Sequence, residues 1–143
     1  IKKKFGENPN FVLETGGIKF DSLNNSLCMI SDWSGISLEY AFALEKPVFF
    51  MDVPKKINNI DFEKIHFKDI ETDIRKNIGY VIPTDEIEKM PEKINSLLEN
   101  SDEFRRQIIE ARYKTVFNIG KSATVGAKHI AKIAEESKAN NKL

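Results

Sequence analysis

The sequence predicts an α/β domain in which a Rossmann-like parallel sheet is flanked by helices and followed by a helical C-terminus. Three observations predict it. Leu27-Cys28-Met29-Ile30 and Val48-Phe49-Phe50-Met51 are short, continuously apolar runs of the kind buried on both faces of a sheet. Between them, Ile36 to Leu44 is helical in composition and almost wholly apolar, as a crossover helix would be. From Asp85 onward, apolar residues recur at helical spacing.

The elements follow in order. Ile1-Lys2-Lys3-Lys4-Phe5 opens without a methionine and reads as the last turn of a helix cut from a longer chain. Asn8-Pro9-Asn10 is turn chemistry, and Phe11 to Glu14 reads as a short strand closed by Gly16-Gly17. Ser22 to Ser26 is a short helix or turn. Strands are expected at 11–14, 27–31, 48–51 and 78–82, fewer than a full doubly wound sheet, with the first strand of the fold lying before Ile1. Lys46-Pro47 stops the helix begun at Ile36, and Asp52 to Asn59 is a polar, basic loop. The stretch from Ile60 to Asn77 carries no decisive pattern. Within Asp85 to Glu99, Pro91 marks a break or a new first turn. Ser101 is expected to cap the next helix, which ends at Asn118-Ile119-Gly120. Ser122 begins a last helix that is expected to pack Val125, Ile130, Ile133 and Ala134. Residues 1–137 are thus read as one domain and 138–143 as a frayed tail.

Bulk properties bound the function. The 143 residues are one domain's worth, and the 41% apolar fraction is enough for a core. Lys+Arg and Asp+Glu are both 22, and a net charge of zero argues against general nucleic-acid binding. A local basic patch for a phosphate ligand stays open. The lone Cys28 cannot form an intramolecular disulfide and reads as a buried structural thiol in a reducing cytoplasm. No apolar run approaches the ~18–20 residues of a membrane span.

Ligands of open parallel sheets sit beyond the carboxyl ends of the strands. Two loops leave such ends, Ser31 to Gly35 and Asp52 to Asn59, and they are expected to be neighbours. Where a strand runs through Ser34-Gly35 into a helix, unpaired backbone N–H groups and a partial positive charge suit a phosphate. Ser34 adds a hydroxyl, and Gly35 removes a side chain that would hold the phosphate away. The alternative is plain N-capping by Asp32 or Ser34. Glu39 lies one turn deeper on the same face, in an otherwise apolar helix, and is expected to be largely buried. A buried carboxylate needs partners: the hydroxyls of a ribose, or a structural bond to a backbone amide or to Arg75. Lys55, Lys56 and Asn58 either neutralise a pyrophosphate or are solvated surface. Trp33 either stacks on a base or packs in the core or an interface. His66 and His129 have no metal-ligand spacing, Ser34 has no histidine base nearby in sequence, and no metal site or cofactor is expected.

Ser31-Asp32-Trp33-Ser34-Gly35-Ile36-Ser37-Leu38-Glu39-Tyr40-Ala41-Phe42, followed by Lys46-Pro47-Val48-Phe49-Phe50, resembles the donor-binding segment of the CDP-glycerol glycerophosphotransferase-like proteins, which build teichoic-acid and capsule polymers. More broadly it is similar to the C-terminal half of GT-B glycosyltransferases. Glu71, Arg75, Ile78-Gly79 and Asn118-Ile119-Gly120-Lys121-Ser122 fit the same resemblance. It implies that Ser34 and Gly35, with Lys55 and Lys56, hold a donor diphosphate. It implies that Glu39, Asp32 and Asn58 hold the ribose or order the nucleotide. The donor would be CDP-glycerol or a nucleotide-sugar, the partner a missing N-terminal acceptor domain, and the place the cytoplasm, at the inner face of the membrane in the full protein. The family's catalytic histidines have no counterpart here, and Gly35 stands where the teichoic-acid polymerases carry a second serine. The chain alone is therefore expected to bind rather than catalyse. The other readings are a nucleotide-sugar epimerase domain of GT-B type and a non-enzymatic interaction module.

Overall fold

A computed structural model describes residues 1–17, 19–55, 57, 59–66 and 69–140. Its elements are α1 (Lys2–Phe5), α2 (Phe20–Asn25), β1 (Met29–Ser31), α3 (Ile36–Leu44), β2 (Val48–Asp52), α4 (Ile70–Ile78), β3 (Gly79–Pro83), α5 (Met90–Glu99), α6 (Ser101–Thr115) and α7 (Ser122–Asn140), with 3-10 turns at Phe62–Lys64 and Thr84–Lys89. The strands form one parallel sheet in the order β1-β2-β3. Met29 lies opposite Val48, and Val48 opposite Gly79. Parallel neighbours need a crossover, and α3 and α4 supply one each.

Side-chain alternation along β2 divides the core. Val48 and Phe50 face Tyr40 and Ala41 of α3, Ile74 and Ile78 of α4, and Ile108 and Ala111 of α6. Phe49 faces the other way, onto Ile82 of β3 and Met90 and Leu97 of α5, with Tyr80 and Phe104 at the margin. Helices on both faces explain why the Val48-Phe49-Phe50 run is continuous rather than alternating. At the far end of α3, Glu45 (φ 55°) is held by Arg105 at 2.7 Å and by Arg112 at 3.0 Å, while Arg112 also donates to the Phe42 carbonyl at 2.6 Å. These bonds tie α6 to the end of α3 and hold the Glu45 carboxyl below the usual carboxylate range.

β2 and β3 approach closely at their paired start. A Cβ on Gly79 would lie 2.6 Å from the Val48 carbonyl carbon and 2.8 Å from its nitrogen, and nearer still to its oxygen. The φ of 168° is ordinary extended backbone, so the close approach itself demands glycine here.

Several expectations are corrected. Phe11 to Glu14 forms no strand. No described strand lies beyond β1 to pair with it, and Phe11 instead packs against Phe5 with ring centroids 5.7 Å apart and the rings tilted by 43°. The strand expected at 27–31 is shorter, and Ile30 is 55% exposed because no described helix covers its face of β1. Cys28 is half-buried against the Phe49 side of the core, and that burial raises its thiol pKa. The unassigned stretch contains α4, capped by Asp69, whose carboxylate accepts from the Thr72 amide at 2.8 Å. Pro91 sits in the first turn of α5, while Ser101 lies inside α6 and Asn100 precedes it without a side-chain cap. α7 does not pack as expected: Ile130 and Ile133 are exposed, and so is Ala134. No described helix is long and apolar enough to cross a membrane.

Candidate functional site

The two loops beyond the strand ends are neighbours, as expected. Trp33, which follows β1, donates its indole N–H to the Val53 carbonyl beyond β2 at 2.8 Å. Its ring lies over the Arg75 guanidinium, 4.0 Å from the ring centroid, and the same guanidinium lies 4.8 Å from the Phe50 ring. Lys55 stands 5.3 Å from the Trp33 centroid on the loop side. Of the two readings of Trp33, packing inside the protein therefore describes it, since its ring and its one donor are both engaged.

Arg75 is the group that sequence reasoning placed least well. α4 buries Ile74, Arg75 and Ile78, and Arg75 is only 4% exposed. Its Nη2 donates to the Met51 carbonyl at 3.0 Å, and Nη1 lies 3.8 Å from the Asp52 carboxylate. It does not partner Glu39. Burial depresses its pKa, and the Asp52 and Asp32 charges offset part of that. The two aromatic faces supply the rest of the compensation, a contact worth about 2 kcal/mol when desolvated. Its Nε is buried without an acceptor among the described residues. The signal in the sequence was the Glu71, Arg75, Ile78 spacing, a helix stripe leading into the core.

Between these groups is a crevice of about 10 Å³, walled by Asp32, Ser34, Ser37, Phe50, Glu71 and Arg75 among others. That volume holds one water-sized atom, not a nucleotide.

The start of α3 is open. Gly35 is its N-cap, in helical conformation (φ −58°, ψ −30°), and no side chain caps it. Neither Asp32 nor Ser34 bonds an amide of the first turn through its side chain among the described residues, so the plain-capping reading is not what is observed. The Ser34 carbonyl accepts from the Ser37 amide at 3.1 Å and the Ser37 hydroxyl at 2.6 Å. The amides of Ser34, Gly35 and Ile36 have no acceptor among the described residues. A Cβ at Gly35 would meet nothing within 4 Å.

Glu39 is exposed, which corrects the expectation of burial. At 100° per residue, the buried stripe of Ser37, Tyr40 and Ala41 leaves position 39 on the opposite side of α3. Glu39 still shares a face with Gly35, one turn away. Asp32 is exposed as well. Lys55 is bonded to Asp69, with Thr72 Oγ1 at 3.4 Å, so its charge is shared with the α4 cap. Lys56 and Asn58 lie outside the described residues. His66 and His129 are both exposed, and no three His, Cys, Asp or Glu side chains converge among the described residues.

No family model matches the chain, and no curated protein or solved structure is significantly similar to it. The structure establishes an α/β fold with a three-strand parallel sheet and a helical C-terminus.

The Lys55–Asp69 pair ties the second loop to α4. Hydrogen bonds from Lys55 and Thr72 lower the Asp69 pKa to about 2. The folded-state value lies below the unfolded one, so this contribution is present above pH ~4 and is lost as pH falls through about 2. Asp69→Ala is expected to lower stability at neutral pH by about 1 kcal/mol, the usual value of an N-cap. Urea melts at pH 7 and pH 2.5 check it, because the gap between wild type and variant should shrink at the lower pH. An equal gap at both would mean that the carboxylate is not the source.

Proposed function

We propose that this domain binds the nucleotide diphosphate of an activated donor, CDP-glycerol or a nucleotide-sugar, as part of a glycerophospho- or glycosyltransferase of cell-surface polymer synthesis. The observation that carries the reading is the open start of α3. Three consecutive amides, Ser34 to Ile36, lack a protein acceptor among the described residues. They sit where strand ends and the helix dipole favour an anion, beside a glycine that leaves room for it. The sequence around them, from Ser31 to Phe50, supports the choice of ligand by its resemblance to the CDP-glycerol glycerophosphotransferase-like donor segment.

In this reading the amides and the Ser34 hydroxyl hold the phosphates. The Glu39 carboxylate, on the same face and in solvent, accepts the ribose hydroxyls. An acceptor hydroxyl contributed from outside this chain attacks the donor at phosphorus or at the anomeric carbon. Its oxygen forms the new bond, the bond to the departing nucleotide breaks, and its proton passes to a base that is also outside the chain. The fixed amides stabilise charge on the departing nucleotide.

Calorimetric titration with CDP-glycerol, CTP and UDP-sugars tests the reading. Saturable binding of at least one is expected, with Glu39→Ala weakening it about 10-fold, or 1.4 kcal/mol. Glu39 is exposed, so the variant should keep the wild-type circular dichroism. A folded domain that binds none of these nucleotides would overturn the proposal.

A further inference from the structure

We propose that the groove between α4 and α6 is the docking site for α7 of a second copy, so that two chains exchange their C-terminal helices around a twofold axis. None of the residues at the start of α3 lines this groove, and the dimer forms whether or not the domain binds a nucleotide.

Two unpartnered features fit one another. The first is α7, 19 residues long, of which none from Ser122 to Lys138 is buried. Most helical stability in proteins comes from packing an amphipathic face, and Gly126 weakens α7 further. The face is present. Ala127, Ile130, Ala131 and Ala134 follow at i, i+3, i+4 and i+7, the spacing by which an amphipathic helix lies in a groove. All four are exposed, Ile130 by 70%. At 100° per residue, Ile133 borders this stripe on one side and Lys128 on the other, while Lys138 ends it one turn beyond Ala134.

The second feature is the groove, about 300 Å³ in volume. Buried Ile74 and Ala111 give it an apolar floor, and Ile70, 48% exposed, adds to that surface. It runs along residues 70–77 of α4 and 107–115 of α6, about two turns of each, or ~12 Å. Ala127 to Ala134 spans the same ~12 Å. The three alanines of the stripe let a third helix come within the ~8–10 Å of packed helix axes. The charges are complementary too. Asp73, on the α4 wall, has no ion-pair partner among the described residues, and neither have Lys128 and Lys138. At a solvated rim such pairs set register more than affinity.

The occupant is a second copy because the turn before α7 directs the helix away from its own groove. Asn118 (φ 57°) and Gly120 (φ 75°) are left-handed, and the Asn118 carbonyl accepts from the Lys121 amide at 2.8 Å and the Ser122 hydroxyl at 2.9 Å. A contact two turns long falls short of the ~1,200 Å² at which stable interfaces begin. Twofold exchange makes the contact twice and so doubles the area.

Sedimentation equilibrium of the 143-residue chain tests the dimer, whose mass should be twice the 16.4 kDa of one chain. Ile130→Asp on α7 and Asp73→Lys on the groove wall should each raise the dissociation constant about 10-fold or more, while Glu92→Lys on α5 leaves it unchanged. All three positions are exposed, so the variants should keep the wild-type circular dichroism. An equimolar mixture of Ile130→Asp and Asp73→Lys should associate more tightly than either variant alone, because one chain supplies a sound groove and the other a sound helix. In the wild-type protein, dilution should move the amide resonances of Asp73, Ala111 and Ile130 together, a readout that needs no variant to fold. A chain that stays monomeric at every concentration overturns the proposal. So does a dimer that Asp73→Lys leaves intact, or dilution shifts in α7 without shifts in the groove, since either would place α7 against another surface.

Discussion

Gly79→Ala is expected to destabilise the domain by about 3 kcal/mol or more, although it adds one methyl group. Overpacking in a filled core usually costs about 1–3 kcal/mol, because rotamers and neighbours can adjust. Here the obstacle is the backbone of Val48, with its carbonyl carbon 2.6 Å and its nitrogen 2.8 Å from the new Cβ. Val48 is 0% exposed and is paired on both sides, to Met29 and to Gly79. Relieving the clash means moving β3 away from β2, which opens the ladder and both core clusters. Domains of this size have about 5–15 kcal/mol of stability in all. The loss corresponds to roughly 6–12 °C in melting temperature. Thermal circular dichroism checks it, and a variant melting within 2 °C of wild type would contradict the register assigned to β2 and β3.

Gly35→Ala should do the opposite to stability and still damage function. Gly35 has φ −58° and ψ −30°, a conformation alanine adopts readily, and its Cβ would project into open space. Replacing glycine at such a position restricts the unfolded chain and stabilises by about 0.4–1 kcal/mol. The same methyl group would stand where the proposed phosphate approaches the amides. Affinity for the donor nucleotide or for pyrophosphate is then expected to fall about 10- to 100-fold, or 1.4–2.8 kcal/mol. A raised melting temperature with weakened binding separates the cradle from the fold in one variant. A variant that is more stable and binds as well as wild type would show that no ligand comes near Gly35.

The parts of this molecule that depend on local pattern were readable in the sequence. The Val48-Phe49-Phe50 run is apolar on both sides because both sides are covered, and Ile36 to Leu44 is apolar because α3 packs in a crossover. The open loop before α3 followed from the same two elements. What failed depended on tertiary partners. Phe11 to Glu14 has the composition of a strand, but no described neighbour offers it a ladder. Glu39 was expected to be buried because its sequence neighbours are apolar, yet a helix on a sheet buries one stripe, and position 39 is opposite Ser37, Tyr40 and Ala41. Arg75 is buried by Trp33, far away in sequence, in a stretch whose periodicity was too weak to assign. α7 is amphipathic enough to suggest packing, yet its Ile130 and Ile133 stay exposed.

The central claim is that the amides at the start of α3 hold the anionic part of a ligand. The most direct measurement is the ¹⁵N-resolved amide spectrum of the labelled domain during titration with CDP-glycerol or a UDP-sugar. Downfield, saturable shifts of the Ser34, Gly35 and Ile36 amides, larger than those of the other described helix starts, are the predicted result. Ligand binding that leaves these three resonances in place, or no binding at all, would contradict it.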